Sequence, residues 1–212
     1  EWTTQSFTFV SAHQGSLSNS KIVDIDNNNF LDINLVDNDK TIGLLVTNIF
    51  GNICDINKYE NWAKDNNKLL IFDNAATPFT FYKNKNSVNF GNGSIISFHH
   101  TKLLGYGEGG AIIVDKKYEN IIRELINFKS NENNFDNKGN NFKMSEINAS
   151  YIIDYLNNFD KIINKNKYIY NYFLKLLKDI NHVELFSKFY DDDKILIGLV
   201  PLIFENENDS LF

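Results

Sequence analysis

Residues Ser94 to Val114 read SIISFHHTKLLGYGEGGAIIV, and this stretch places one lysine between two apolar segments. The segments Ser94 to Phe98 and Ala111 to Val114 have the composition of buried strands, and a glycine turn at Gly107 to Gly110 leads into the second. Lys102 therefore lies at the rim of a predicted sheet. A partly desolvated amine loses its proton more easily and becomes a nucleophile, so Lys102 is a candidate Schiff-base lysine.

Outside this stretch, strand and helix patterns alternate, which predicts an α/β fold with a mostly parallel sheet flanked by helices. The predicted strands of the sheet are residues 21–25, 41–47, 68–72, 94–98 and 111–114. The predicted helices are residues 55–65, 117–129 and 146–178, the last capped by Ser145 and bent near Asn157 or Asn164. Two later strands, 182–186 and 195–200, are predicted to belong to a smaller unit.

The first two helices each have an apolar face. The residues predicted to face inward are Ile56, Tyr59 and Ala63 in the first helix and Ile121, Leu125 and Ile126 in the second. The aromatic residues of the last helix are interpreted as core or subunit contacts.

The composition limits the function classes. The chain has 212 residues, 42% of them hydrophobic and 23% charged, which is typical of a folded globular protein. Its net charge of -6 argues against nucleic-acid binding, and its apolar runs are too short for a membrane span. The single cysteine, Cys54, is interpreted as a core residue and excludes an internal disulfide, so a cytoplasmic location is expected.

Both ends of the sequence suggest a piece of a longer protein. The chain begins at Glu1 rather than at a methionine, and it has no signal-peptide pattern there. It ends at Phe212, where a further helix would be starting. We therefore expect a fragment.

Asp73 is the second candidate for chemistry. It follows the predicted strand 68–72 and precedes Asn74, Ala75 and Ala76, which are small enough to let a ligand approach. A buried carboxylate at this place needs a cationic partner or strong hydrogen-bond donors, and a protonated pyridine nitrogen would be such a partner. The alternative is that Asp73 only caps a turn or a helix.

Together these segments resemble the DegT/DnrJ/EryC1/StrS family of pyridoxal-phosphate-dependent sugar aminotransferases, which have the fold type I architecture. The matching motifs are Asp73 to Ala76, Ser97 to Lys102 and Gly107 to Ile112. Weaker matches at residues 4–12, 21–26 and 139–149 extend the resemblance over nearly the whole chain.

The resemblance implies roles for individual residues. Lys102 would bind the pyridoxal 5'-phosphate aldehyde and then act as general base and acid, Asp73 would pair with the pyridine nitrogen, and Ser97 would donate to the phosphate. Phe9 would stack on the pyridine ring, and Lys143 would reach the phosphate of the neighbouring subunit. No metal ligand is implied.

Some positions depart from the family pattern or have less specific roles. Ala76 is at a cofactor-binding position of the family, where many relatives have Gln or His beside the ring. A polar contact near the cofactor oxygen is therefore either missing or supplied by Thr77. The family's Gly-Thr helix start would lie upstream of Glu1, so we expect these 212 residues alone to bind the cofactor weakly and to be inactive. His99 and His100 either approach the substrate or are packed side chains, and Glu108 is expected to stabilise the glycine turn.

The implied reaction moves an amino group, usually from glutamate, to a keto carbon of a nucleotide-linked deoxy sugar, for polysaccharide or metabolite synthesis. The resemblance also implies a homodimer with a shared active site. We expect residues 1–168 to form the large cofactor-binding domain and residues 169–212 to begin a small C-terminal domain.

Two alternative functions have the same fold. One is a sugar dehydratase, which has histidine in place of the lysine, and the other is a non-catalytic regulatory relative. A nucleotide-binding α/β module is a third, but no Gly-x-Gly-x-x-Gly motif follows a strand.

Overall fold

A computed structural model describes residues 1–131, 134–135, 139–180, 183–185 and 198–206. Its strands are β1 (Trp2–Gln5), β2 (Lys21–Val23), β3 (Gly43–Thr47), β4 (Leu69–Asp73), β5 (Phe81–Tyr82), β6 (Lys85–Asn86), β7 (Gly93–Ser97), β8 (Gly110–Val114), β9 (Ser130–Asn131), β10 (Asn134–Phe135), β11 (Val183–Leu185) and β12 (Leu202–Phe204). Its α-helices are α1 (Ile56–Asp65), α2 (Glu119–Ile126), α3 (Glu146–Asn157) and α4 (Phe159–Leu177).

Six strands form one sheet in the order β2-β1-β3-β4-β7-β8. All neighbours are parallel except β7 and β8, which are antiparallel. The predicted α/β class with a mostly parallel sheet is therefore confirmed. Because the parallel strands share a direction, their carboxyl ends meet at one edge, which we call the rim. There Asp73 pairs in register with Thr47 on β3 and with Ile95 on β7.

The sequence analysis missed β1, which lies between β2 and β3. Its residues Thr3, Thr4 and Gln5 are polar, yet all three are fully buried. The Gln5 side chain accepts the N–H of Thr47 at 3.0 Å, and the Thr3 and Thr41 hydroxyls lie 2.8 Å apart. Thr3 and Gln5 are thus stabilised by hydrogen bonds to residues distant in sequence, and β1 lacks the apolar pattern by which a buried strand is ordinarily found.

The main core lies between the sheet and α1. It is formed by β3 and β4 residues and by the predicted inward face of α1: Leu44, Val46, Leu70, Phe72, Ile56, Tyr59 and Ala63. Cys54 belongs to this core, as expected, and burial raises the pKa of its thiol. Asp55 stands at the N-cap of α1, but its carboxylate accepts the Tyr82 hydroxyl rather than a helix amide.

The later helices correct one prediction and confirm two others. Ile121 does not face inward, since half of its side chain is exposed; the half-buried stripe is Ile122, Leu125 and Ile126, which have i, i+3, i+4 spacing. The long helix is interrupted at Asn158, between α3 and α4, which confirms the bend near Asn157 and excludes one at Asn164. Ser145 caps α3 as predicted, because its hydroxyl accepts the N–H of Asn148 at 3.1 Å.

The C-terminal region is described only in part. Strand β11 confirms the strand predicted at 182–186 over residues 183–185, and it pairs antiparallel with β12. In the other predicted strand, residues 195–197 lie outside the described residues, and the described residues 198–200 are not part of a strand. Helix α4 runs unbroken across the domain boundary predicted after residue 168, which stays a prediction. Among the described residues, no helix has the length and apolar character to cross a membrane.

Candidate active site

Lys102 is held in a tight turn directly after β7. Its backbone N–H donates to the carbonyl of His99 at 2.8 Å, and its own carbonyl accepts the N–H of Gly105 at 2.8 Å. A side chain at Gly105 could not fit, because its Cβ would lie 2.0 Å from the His99 carbonyl oxygen. The Lys102 side chain is partly buried, and within the described part of the chain its amine has neither an ion-pair nor a hydrogen-bond partner. The turn therefore presents an uncommitted amine at the rim.

Asp73 ends β4 at the same rim. Its Oδ1 accepts the N–H of Ala75 at 3.0 Å. Desolvation raises the pKa of its carboxyl, whereas the Ala75 amide, the charge of Lys102 and the Thr47 hydroxyl act in the opposite direction. No cationic side chain of the described residues forms an ion pair with it. The carboxylate is thus poorly solvated and can still accept a cationic hydrogen-bond donor.

The sequence analysis missed Thr47 as a neighbour of Asp73. Thr47 ends β3 opposite Asp73, and its hydroxyl acts to lower the pKa of the Asp73 carboxyl. The Thr8 hydroxyl lies 2.8 Å from that of Thr47, which joins the segment after β1 to the rim. The position of Thr47 at the carboxyl end of a predicted strand was the available signal, because parallel neighbours end together.

Ser97 is the last residue of β7, two positions beyond the partner of Asp73. Its hydroxyl oxygen accepts the N–H of His99 at 3.2 Å. Its hydroxyl proton has no acceptor among the side chains and carbonyls that the structure describes. A hydroxyl in this state can donate to an anionic oxygen.

Ala76 and Lys102 line one small cavity together with Phe50 and Leu103. This places Ala76 beside the lysine. Thr77 is fully buried, and its hydroxyl donates to the carbonyl of Asn48 at 2.7 Å, so it cannot supply the polar contact that the residue at position 76 lacks. Of the two expected possibilities, the hydrogen bond of Thr77 favours a missing contact.

Phe9 and Lys143 do not join this cluster by direct contact. Phe9 follows Thr8 at the rim and is 72% exposed, so a large aromatic face is open to solvent. The Lys143 amine donates to the Asn127 side chain at 2.7 Å and lies over the Phe128 ring. Among the described contacts, none links Lys143 to Asp73, Ser97 or Lys102.

A buried polar network lies directly behind the rim. The side-chain oxygen of Asn74 accepts a hydrogen bond from the side-chain amide of Asn48 at 2.8 Å. The side-chain amide of Asn74 donates to the Ser94 hydroxyl at 2.7 Å. All three side chains are fully buried. The network ties together the ends of β3 and β4 and the interior of β7, and so fixes the backbone next to Asp73.

Sequence comparison gives one family for almost the whole chain. The family model described as the DegT/DnrJ/EryC1/StrS aminotransferase family matches residues 2–210. Among curated proteins, the chain is 32% identical over 149 residues to dTDP-4-amino-4,6-dideoxy-D-glucose transaminase of Shigella dysenteriae, covering 69% of this chain and 40% of the relative. It is 27% identical to GDP-perosamine synthase of Escherichia coli O157:H7, covering 70% of this chain and 42% of the relative. The chain thus spans less than half the length of these two relatives.

Solved structures give the same architecture. The structure of S. venezuelae DesV in complex with a ketimine intermediate superposes with a TM-score of 0.85 at 20% identity, covering 99% of this chain and 59% of that one. A mutant of the GDP-4-keto-6-deoxymannose-3-dehydratase ColD, with bound GDP-perosamine, superposes with a TM-score of 0.77 at 16% identity, covering 97% and 60%. At these identities the structures establish the fold.

Proposed function

This chain belongs to the DegT/DnrJ/EryC1/StrS aminotransferase family, and we propose that it is part of a pyridoxal-phosphate-dependent sugar aminotransferase. The observation that carries the proposal is that two groups lie at the same rim: the Lys102 amine, which has no partner among the described residues, and the desolvated Asp73 carboxylate. Pyridoxal-phosphate chemistry requires a free amine to bind the cofactor and a carboxylate to pair with the ring nitrogen.

The residues present fit pyridoxal phosphate on observations independent of the family. The Asp73 carboxylate has no cationic partner in the described chain, and a protonated ring nitrogen would supply one. The free proton of the Ser97 hydroxyl suits a phosphate oxygen. Ala76 leaves space beside Lys102, and the exposed Phe9 ring could cover an aromatic ring.

Each residue then has a defined task. Lys102 would hold the cofactor through its amine, and after release its Nζ would take the proton from the substrate carbon that bears nitrogen and return a proton during the second half of the reaction. Asp73, oriented by Thr47, would keep the ring nitrogen protonated. When bound, pyridoxal phosphate supplies an electron-withdrawing ring that accepts the electrons of the deprotonated carbon.

We propose a nucleotide-linked keto deoxy sugar as the amino acceptor and glutamate as the donor. The support is that the relative from Shigella dysenteriae is named as a transaminase of a dTDP-linked amino dideoxy sugar. The presence of Lys102, where the dehydratases of the fold have histidine, favours amino transfer over dehydration. The products would serve polysaccharide or metabolite synthesis in the cytoplasm.

A homodimer with a shared active site is also proposed. Helices α3 and α4 expose several large apolar side chains, including Ile147, Tyr168 and Tyr172, which are 70%, 71% and 55% exposed. Such a surface suits burial against another protein surface. Lys143 would then approach the partner's phosphate after leaving Asn127, and sedimentation of the full-length protein tests the dimer.

The function is tested by an amino-transfer assay on the full-length protein. It is incubated with pyridoxal phosphate, L-glutamate and dTDP-4-keto-6-deoxyglucose or its GDP-linked counterpart. Formation of 2-oxoglutarate together with an amino sugar nucleotide is the expected result. Release of water from the sugar without gain of nitrogen would instead identify a dehydratase, and no turnover of any keto sugar by protein that carries the cofactor would point to a regulatory relative.

A further inference from the structure

A turn beside Lys102 brings together three side chains that the proposed reaction does not use: His99, His100 and Glu108. The backbone N–H of His100 donates to the carbonyl of Gly107 at 3.0 Å. The N–H of Phe98 donates to the carbonyl of Gly109 at 2.9 Å. These two bonds bracket Glu108 and hold it opposite the two histidines.

We propose that His99, His100 and Glu108 form a binding site for a zinc ion. One ligand atom from each residue lies within 4.8 Å of the other two. His99 Nε2 and Glu108 Oε1 are 3.5 Å apart. Zinc bonds of about 2.0–2.1 Å in tetrahedral geometry place neighbouring ligand atoms about 3.3 Å apart, so this pair is already near the required spacing.

The surroundings of the three residues orient them for this role. His99 Nδ1 lies 2.8 Å from the Thr101 hydroxyl, which fixes the ring and leaves Nε2 facing Glu108. In the structure the Thr101 N–H also donates to His99 Nδ1, at 3.4 Å. With zinc on Nε2, the ring proton would lie on Nδ1 and donate to the Thr101 hydroxyl, as the second ring N–H of a metal-bound histidine commonly does. The Asn148 side chain donates to the Glu108 carbonyl at 2.8 Å and steadies the turn from the other side.

His100 distinguishes a metal site from a simple ion pair. His99 alone suffices to pair with Glu108. Within the described residues, the His100 ring packs against the His99 ring alone, with centroids 4.1 Å apart. Because His100 is exposed, its side chain can turn toward a shared ion at small cost. Two imidazoles, one carboxylate and an open fourth position form a donor set that suits zinc.

The site would act on the turn that carries Lys102, because the His99 carbonyl accepts the Lys102 N–H. A bound ion would tie the segment after β7 to the glycine turn before β8. This inference rests on the three side chains alone and does not depend on the proposed aminotransferase activity.

Metal titration of the untagged full chain, stripped with a chelator and free of pyridoxal phosphate, tests the proposal. We expect one equivalent of Zn²⁺ by calorimetry, and visible absorption typical of four-coordinate cobalt when Co²⁺ is used. His100→Ala and Glu108→Gln should each weaken Zn²⁺ binding at least about tenfold. His13→Asn and Glu119→Gln, which change a histidine and a glutamate elsewhere, should bind as the wild type does.

Two results would overturn the site. One is Zn²⁺ binding by the wild type no tighter than by the double variant His99→Ala, His100→Ala. The other is unchanged binding by His100→Ala, which would reduce the cluster to an ion pair between His99 and Glu108. Circular dichroism of each variant establishes that it is folded, and His100→Asn repeats the test with a smaller change in polarity.

Discussion

The Asp73 carboxyl is held in a state that stabilises its neutral form. Burial raises its pKa above the ordinary value of 3.8, so the folded protein binds a proton at this site more tightly than the unfolded chain does. Stability contributed by this group is therefore present below pH 3.8 and is lost as the pH rises through the raised folded pKa. At neutral pH the charged carboxylate costs stability, which a cationic ligand would restore.

Asp73→Asn should therefore raise the stability of the cofactor-free protein at pH 7 and weaken pyridoxal phosphate binding. Loss of a charged hydrogen bond of about 1.5–3 kcal/mol predicts about 10- to 100-fold weaker binding. Thermal melts from pH 3 to pH 8 would show the stability difference vanish at the acid end. Asp39→Asn, a change at an exposed aspartate, is the control and should alter neither quantity. A variant less stable than wild type at pH 7 would contradict the account.

At the level of single residues, the sequence predicted which residues lie at the rim better than it predicted their contacts. Lys102 and Asp73 were identified because apolar strands lead directly to them, whereas Ser97 and Ala76 were identified only from the family resemblance. Thr47 was missed, since only its position at the carboxyl end of a predicted strand indicated that it lies beside Asp73. The inward turn of the Thr77 hydroxyl depends on Asn48, which is 29 positions away in the chain, and local sequence does not contain that information.

Two elements hold the rim residues in place, and the first is the turn after β7. Gly105→Ala would put a Cβ 2.0 Å from the His99 carbonyl oxygen and 2.7 Å from the backbone of His100. The turn must open, which should cost about 1–3 kcal/mol of unfolding free energy and displace Lys102. A displacement of about 1 Å predicts on the order of 100-fold slower attachment of the cofactor.

Urea unfolding and the rate of appearance of bound-cofactor absorbance measure these two effects. Asn61→Ala, at an exposed position of α1 remote from Lys102, is the control and should change neither quantity. Attachment at the wild-type rate in Gly105→Ala would show that the tight turn does not position the lysine.

The second element is the buried network of Asn48, Asn74 and Ser94. Asn74→Ala would leave the Asn48 amide and the Ser94 hydroxyl without a partner in a fully buried place. Unsatisfied buried polar groups predict a loss of about 2–4 kcal/mol, measured by urea unfolding. Asn61→Ala, on the exposed face of α1, should change the unfolding free energy by less than about 0.5 kcal/mol. Equal effects of the two substitutions would mean that the network does not stabilise the rim.

At the scale of the whole molecule, the alternation of apolar strands and amphipathic helices was sufficient to predict the fold class. It did not reveal β1, where the Gln5 side-chain oxygen and the Thr3 hydroxyl bond to Thr47 and Thr41, which are distant in sequence. Nor did it place β12, which pairs with β11 across segments outside the described residues. Order within the sheet is a property of long-range pairing, and no local pattern encodes it.

The claim that Lys102 carries pyridoxal phosphate is the centre of the account. The most direct test is to mix the full-length protein with pyridoxal phosphate, reduce it with borohydride, digest it and locate the label by mass spectrometry. We predict a stable cofactor adduct on Lys102 in wild type and none at that peptide in Lys102→Ala, with Lys116→Ala labelled as wild type. An adduct of equal yield in Lys102→Ala, or one located on another lysine of the wild type, would contradict the account.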